Sequence, residues 1–112
     1  MDDDPVVRTA LSTVLSEAGY QVIEAPDGRD AISICTRQRI DLLITDLVMP
    51  EQEGIDTIRQ FKKLAPESKI IAISGAIDPT FLYVAGKMGA QLVLHKPIRA
   101  SELLAAVQKV IG

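Results

Sequence analysis

Leu42-Leu43-Ile44-Thr45-Asp46-Leu47-Val48-Met49-Pro50 is the stretch whose reading decides the fold. A short, nearly continuous apolar run predicts a strand covered on both faces, as in a parallel sheet, rather than one with a solvated side. Asp46 closes that run, so its carboxylate stands at the mouth of a buried strand with a proline-containing loop after it. Two further runs repeat the pattern. Lys69 to Ser74 ends on a hydroxyl, and Leu92 to Leu94 runs on through His95 to Lys96 and Pro97. Gln21 to Ala25 predicts one more strand.

Helical periodicity fills the intervals. Asp4 before Pro5 reads as an N-cap and first helical residue, after which Val7, Ala10, Leu11, Val14, Leu15 and Ala18 share a face until Gly19. Pro26-Asp27-Gly28 turns into a second helix carrying Ala31, Ile32, Ile34 and Cys35. Ile55, Ile58, Phe61 and Leu64 mark a third, which Pro66 ends. Pro79 opens a fourth through Phe81, Val84, Ala85 and Met88, with Gly89 closing it. Ser101 or a neighbour caps a last helix that turns Leu103, Leu104, Val107, Val110 and Ile111 inward. Strands alternating with helices predict an α/β doubly wound parallel sheet in a single domain, residues 1–112, with its site beyond the carboxyl ends of the strands. Such a sheet should open with a strand leading into the acidic cluster, yet only Met1 precedes Asp2. The first strand is therefore expected to be truncated or absent, its place taken by residues upstream, another chain or a rearranged edge.

Composition narrows the function. The 112 residues are 47% hydrophobic with a formal net charge of −3, which gives no broad basic surface for direct nucleic-acid binding. Apolar runs of four or five residues are far short of the roughly 20 needed to cross a bilayer, and the acidic start is no signal peptide. The single Cys35 reads as a reduced core thiol, which fits a cytoplasmic protein.

The strand ends carry the chemistry. Acidic side chains held together call for a proton or a divalent cation, and Mg2+ favours hard oxygens and often joins one or two carboxylates to a phosphate. Asp3 and Asp46 are expected as direct carboxylate ligands, Asp2 as a water-mediated one, and the backbone carbonyl of Val48 as a further donor. A phosphoryl group on Asp46 would then face the Lys96 ammonium and the Ser74 hydroxyl. Singly, each piece has a plainer explanation: Asp2 to Asp4 as a helix cap with solvated acids, Asp46 and Ser74-Gly75 as turns, Lys96-Pro97 as a loop, His95 as a surface residue. Their conjunction at strand ends is what argues for a site.

Asp2-Asp3-Asp4-Pro5 with Arg8, Leu42 to Pro50 with Gly54, Ser74, and Gly89-Ala90 with Lys96-Pro97 occur in an order and spacing that resembles the receiver domain of two-component response regulators, over essentially the whole chain. The resemblance implies a flavodoxin-like strand order 2-1-3-4-5. It makes Asp46 the acceptor of a phosphoryl group from a sensor histidine kinase or phosphotransfer protein, Asp2 and Asp3 the acidic pocket, Ser74 the switch hydroxyl and Lys96 the phosphate-binding lysine. It also implies a cis Lys96-Pro97 bond and a downstream protein target reached around the fourth helix, where Tyr83 is expected to be exposed, and it leaves a homodimer open. Three positions depart from the family pattern. Val93 replaces the aromatic residue usual three places before the lysine, so signalling is expected to rest on Ser74 and loop movement. Val48 and Ala76 cannot orient an attacking water, which predicts slow spontaneous dephosphorylation. Two other readings compete: a phosphorylation-independent interaction module, and an aspartyl-phosphate phosphatase of the haloacid dehalogenase type. The latter wants a second acid where Val48 stands.

Overall fold

The computed structural model describes residues 1–2, 4–46, 53–75, 83, 86, 87 and 89–112, and for 53–55 the backbone alone. Its elements, in chain order, are α1 (Pro5–Glu17), α2 (Gly28–Arg37), β1 (Leu42–Asp46), α3 (Glu53–Leu64), β2 (Lys69–Ser74), β3 (Leu92–His95) and α4 (Ala100–Ile111). The three strands form one parallel sheet in the order β1-β2-β3. Leu42 pairs with Lys69 and Asp46 with Ile73, and Ser74 pairs with His95. This register brings the C-terminal ends of all three strands to one edge, as the sequence predicts.

Strand alternation sorts the core into two layers. Leu43, Ile70 and Ala72 face Ile58 and Phe61, with Ile32, Cys35 and Val93 packed beside them. Ile71 faces the other way, against Leu15, Leu103, Ala106 and Val107, joined by Leu42, Ile44, Leu92 and Leu94. Thus α2 and α3 cover one face, and α1 and α4 the other. That is the doubly wound arrangement, and it is why β2 reads as an unbroken apolar run: every residue from Ile70 to Ser74 is buried.

Helix starts follow their capping chemistry. The Asp4 carboxylate accepts the Val6 N–H at 2.9 Å ahead of Pro5, and that of Asp27 accepts the Asp30 N–H at 2.9 Å, each satisfying one otherwise orphaned donor. Gly89, expected to close a helix, holds φ +106, a left-handed conformation that favours glycine. Of that helix, residues 83, 86 and 87 are helical and the remainder lies outside the described residues, Phe81, Val84, Ala85 and Met88 included.

Several expectations require correction. Of Ser101 or a neighbour as the cap of the last helix, it is a neighbour that stands there. Arg99 occupies the N-cap without a side-chain hydrogen bond, and the helix begins at Ala100. Leu64 is 50% exposed and Ile111 37%, because each lies at the last turn of its helix, where the covering layer ends. Gln21 to Ala25 forms no ladder. Its partner in the sheet is a stub of two residues: the Met1 ammonium donates to the Ile44 carbonyl, the Asp46 N–H donates to the Met1 carbonyl at 3.0 Å, and the Asp2 N–H donates to the Ala25 carbonyl at 3.3 Å. The stub therefore lies between residue 25 and β1, so the spatial sequence is 21–25, then Met1-Asp2, then β1, β2 and β3, the 2-1-3-4-5 order with its first strand cut short. Beyond the stub, a cleft of about 280 Å3 separates Gln21 to Glu24 from Leu42 to Ile44.

Candidate functional site

The site is built where β1, β2 and β3 end. Parallel pairing puts Asp46 at the end of β1 and Ser74 at the end of β2, and the Lys96 N–H, donating to the Ser74 carbonyl at 2.9 Å, carries the ladder one residue past β3. The Lys96-Pro97 bond is cis, as expected. From this position the Lys96 Nζ reaches the Asp46 Oδ2 at 2.7 Å and the Asp2 Oδ2 at 3.0 Å. One ammonium thus joins residues from the start, the middle and the far end of the chain.

Burial sharpens this arrangement. Asp2 is 1% exposed, Asp46 4% and Ser74 fully enclosed, while the Lys96 side chain keeps 24% of its surface. Carboxylates withdrawn from water require counter-charge, and Lys96 supplies it. Burial pulls its ammonium down, but the facing Asp46 and Asp2 carboxylates more than offset that and hold it above the usual lysine value. The Asp2 Oδ1 accepts the Asp4 N–H at 2.9 Å. Among the described residues, no donor is aimed in hydrogen-bond geometry at the Asp2 Oδ2, which is buried at ion-pair distance from Lys96. A buried carboxylate oxygen with unused acceptor capacity, beside a second carboxylate, suits a hard divalent cation. Among the described residues no cluster of three or more His, Cys, Asp or Glu is gathered. The two acids brought together are Asp2 and Asp46, and Asp3 and Val48 lie outside the described residues.

Of the residues singled out in the sequence, Asp2, Asp46, Ser74 and Lys96 are thus brought to one edge. His95 is exposed beside them. Tyr83, also exposed as expected, carries Lys87 Nζ 5.5 Å from its ring centroid. Cys35 packs against the α2–α3 core layer, and burial pushes its thiol up. No described helix is long and apolar enough to cross a membrane.

Sequence reasoning missed two supports of the site. Met1 contributes main chain, continuing the sheet beside β1, and its amino group is pushed by burial down to about 6. Arg8 contributes a side chain, with its Nη1 donating to the Asp2 carbonyl at 2.7 Å. The signal for the latter was available: a basic residue in the first turn of a helix, where the dipole disfavours it, calls for a local anionic or carbonyl partner.

Comparison with known proteins gives the chain its family. The family described as response regulator receiver domain matches residues 1–108. The chemotaxis protein CheY of Thermotoga maritima is 34% identical over 111 residues, covering 98% of this chain and 92% of that protein. The response regulator MprA of Mycobacterium leprae is 36% identical over 112 residues, covering 99% of this chain but 49% of that protein, so the chain spans about half the length of that relative. Among solved structures, a response regulator from Burkholderia pseudomallei, with a phosphorylated aspartic acid, calcium ion and citrate, superposes with a TM-score of 0.87 at 27% identity, covering 96% of this chain and 63% of that one.

Proposed function

We propose a phosphorylation switch for this chain, which belongs to the response regulator receiver domain family: Asp46 accepts a phosphoryl group from a phosphorylated histidine on a sensor kinase or phosphotransfer protein. The reading is carried by one observation, the 2.7 Å contact between Lys96 Nζ and Asp46 Oδ2 at the shared C-terminal edge of a parallel sheet. A carboxylate so placed has a cation already fixed where charge must be neutralised, and phosphoryl transfer needs mostly positioning and charge compensation.

In the transfer, an Asp46 carboxylate oxygen attacks phosphorus while the bond from phosphorus to the donor histidine nitrogen breaks. The electron pair of that bond returns to the imidazole. Lys96, a compact point charge, turns from the carboxylate toward a phosphoryl oxygen, and the Ser74 hydroxyl is the second group assigned to phosphoryl oxygens. Asp2, Asp3, Asp46 and the Val48 carbonyl would hold Mg2+, whose chemistry there is to neutralise phosphoryl charge. Phosphorylation then shifts a two-state equilibrium at the surface around Tyr83 and β3, where a downstream protein target binds. Val93 in β3 gives no ring to rotate, so Ser74 and its loop carry the change.

Acetyl phosphate labelling followed by intact-mass measurement tests the assignment. One added phosphoryl group is expected with Mg2+, little without it, and none in Asp46→Asn. An unlabelled parent chain in Mg2+ would leave a binding-only module in place of the switch. Equal labelling of Asp46→Asn would move the acceptor elsewhere.

A further inference from the structure

Asp2 is the described acid nearest the chain start; its carboxylate meets the Asp4 N–H and Lys96, but its own main-chain groups have two recorded bonds. Its N–H reaches the Ala25 carbonyl at 3.3 Å, a long contact. Its carbonyl is held at 2.7 Å by the Arg8 guanidinium, a shorter and charge-assisted bond. Arg8 is itself steadied from the other side, its Nε lying 3.5 Å from the Glu24 Oε1, with 21% of the Arg8 side chain and 41% of Glu24 exposed. Arg8 belongs to the first full turn of α1, with its N–H donating to the Asp4 carbonyl at 3.0 Å, and Glu24 lies in the segment beyond the stub. The guanidinium therefore ties three pieces of chain together.

From this geometry we infer that Arg8, anchored by Glu24, is a positioning residue for the metal pocket: it fixes the Asp2 main chain and so aims the Asp2 carboxylate. The inference rests on the phosphorylation-switch reading for its ligand, Mg2+, but the clamp itself exists without metal. Its consequence runs against simple electrostatics. A nearby positive charge repels a divalent cation, so deleting it should tighten Mg2+ if Arg8 acted only through charge. Acting through position, its deletion loosens Asp2 and weakens Mg2+, as loss of an outer partner of a metal ligand does.

The experiment compares the whole chain with Arg8→Ala, Arg8→Lys and Glu24→Gln by calorimetric Mg2+ titration and by metal-free amide hydrogen exchange. Arg8→Ala is expected to weaken Mg2+ by about tenfold and to speed exchange at the Asp4 N–H, which the Asp2 carboxylate accepts. The Asp30 N–H, capped in the same way by Asp27 at the same 2.9 Å, is expected to stay unchanged, which separates local release from general loosening. Arg8→Lys keeps a charge but gathers its donors on one nitrogen in place of the separate Nη1 and Nε that meet Asp2 and Glu24, so it should fall between parent and Ala in both readouts. Arg8→Ala binding Mg2+ as tightly as the parent, or tighter, overturns the inference. Should that variant not fold, Glu24→Gln with unaltered Asp4 exchange overturns it instead. A parent chain that binds no Mg2+ removes the switch reading, while the Asp4 exchange still decides whether the clamp exists.

Discussion

Lys96 Nζ lies 2.7 Å from the Asp46 Oδ2 and 3.0 Å from the Asp2 Oδ2, so one half-buried ammonium serves two nearly enclosed carboxylates. Removing it takes the shared counter-charge from both. In metal-free buffer Lys96→Ala is expected to lose about 2–4 kcal/mol of unfolding free energy, the scale of a broken buried pair reduced for the lysine's partial exposure. Mg2+ should restore part of that loss, since a cation bound at the acids favours the folded state. Urea unfolding with and without Mg2+ measures both effects, and a variant as stable as its parent in chelator would show that the pair contributes nothing.

Met1 gives the chain a pH dependence of definite sign. Burial lowers its amino group from 8.0 to about 6, so between those values the unfolded chain binds the extra proton and stability rises with pH. The penalty is full below about pH 6 and gone above about pH 8, a difference of roughly 2–3 kcal/mol for a two-unit shift. Unfolding midpoints at pH 5.5, 7 and 8.5 should climb in that order. Acetylating the amino group should flatten this contribution, and an unchanged slope after acetylation would assign the dependence to other groups.

Burial separates two large apolar residues of α3. Phe61 is 0% exposed, packed against Leu43, Ile70 and Ala72, whereas Leu64, one turn later, is 50% exposed. Phe61→Ala is expected to cost about 3–5 kcal/mol through lost contacts and a cavity, and Leu64→Ala under about 1 kcal/mol. Comparable losses at the two positions would contradict the placement of the α3 face.

The comparison also shows what a single sequence discloses. β1, β2 and β3 were legible because both of their faces are covered, so their apolar runs are nearly unbroken. Helix starts at Pro5 and Gly28 were legible because Asp4 and Asp27 cap through local hydrogen bonds. The convergence of Asp46, Ser74 and Lys96 followed from strand ends alone, since a parallel sheet carries all such ends to one edge. Gln21 to Ala25 was misread for the complementary reason: a strand is a relation to a neighbour, and composition says nothing of whether the neighbour is present. At the start of α4 the sequence left Ser101 or a neighbour open, and it is Arg99 that holds the N-cap position, without a side-chain hydrogen bond. Arg8 gave half a signal, a cation where the α1 dipole disfavours one, but which carbonyl it grips could not be named, because that partner is a backbone atom that every residue has.

The cleft beside β1 yields the last prediction. In a parallel strand the N–H and C=O of one residue point to the same side. The Ile44 carbonyl and the Asp46 N–H both meet Met1, so by alternation the Leu42 groups and the Ile44 N–H face the cleft. Across it lies the segment Gln21 to Glu24, and its lining includes Leu11, Leu15 and Val107 from one core layer and Ala31, Ile34 and Cys35 from α2, with charged residues such as Arg8 and Arg39 among them. An extended apolar tetrapeptide such as Val-Leu-Ile-Val fused ahead of Met1 spans about 13 Å at strand rise, enough to run alongside β1. It would turn the buried ammonium into a ladder amide, pair the exposed backbone groups and fill the slot. We expect a gain of about 2–4 kcal/mol, enough to raise Tm by several degrees, together with slowed amide exchange at Leu42 and Ile44. A Gly-Ser-Gly-Ser fusion of equal length removes the same charge but brings no apolar surface, so it should recover only the part of the gain due to the amine. Equal effects of the two fusions, with Leu42 and Ile44 exchanging as fast as in the parent, would mean that the slot does not accept a strand.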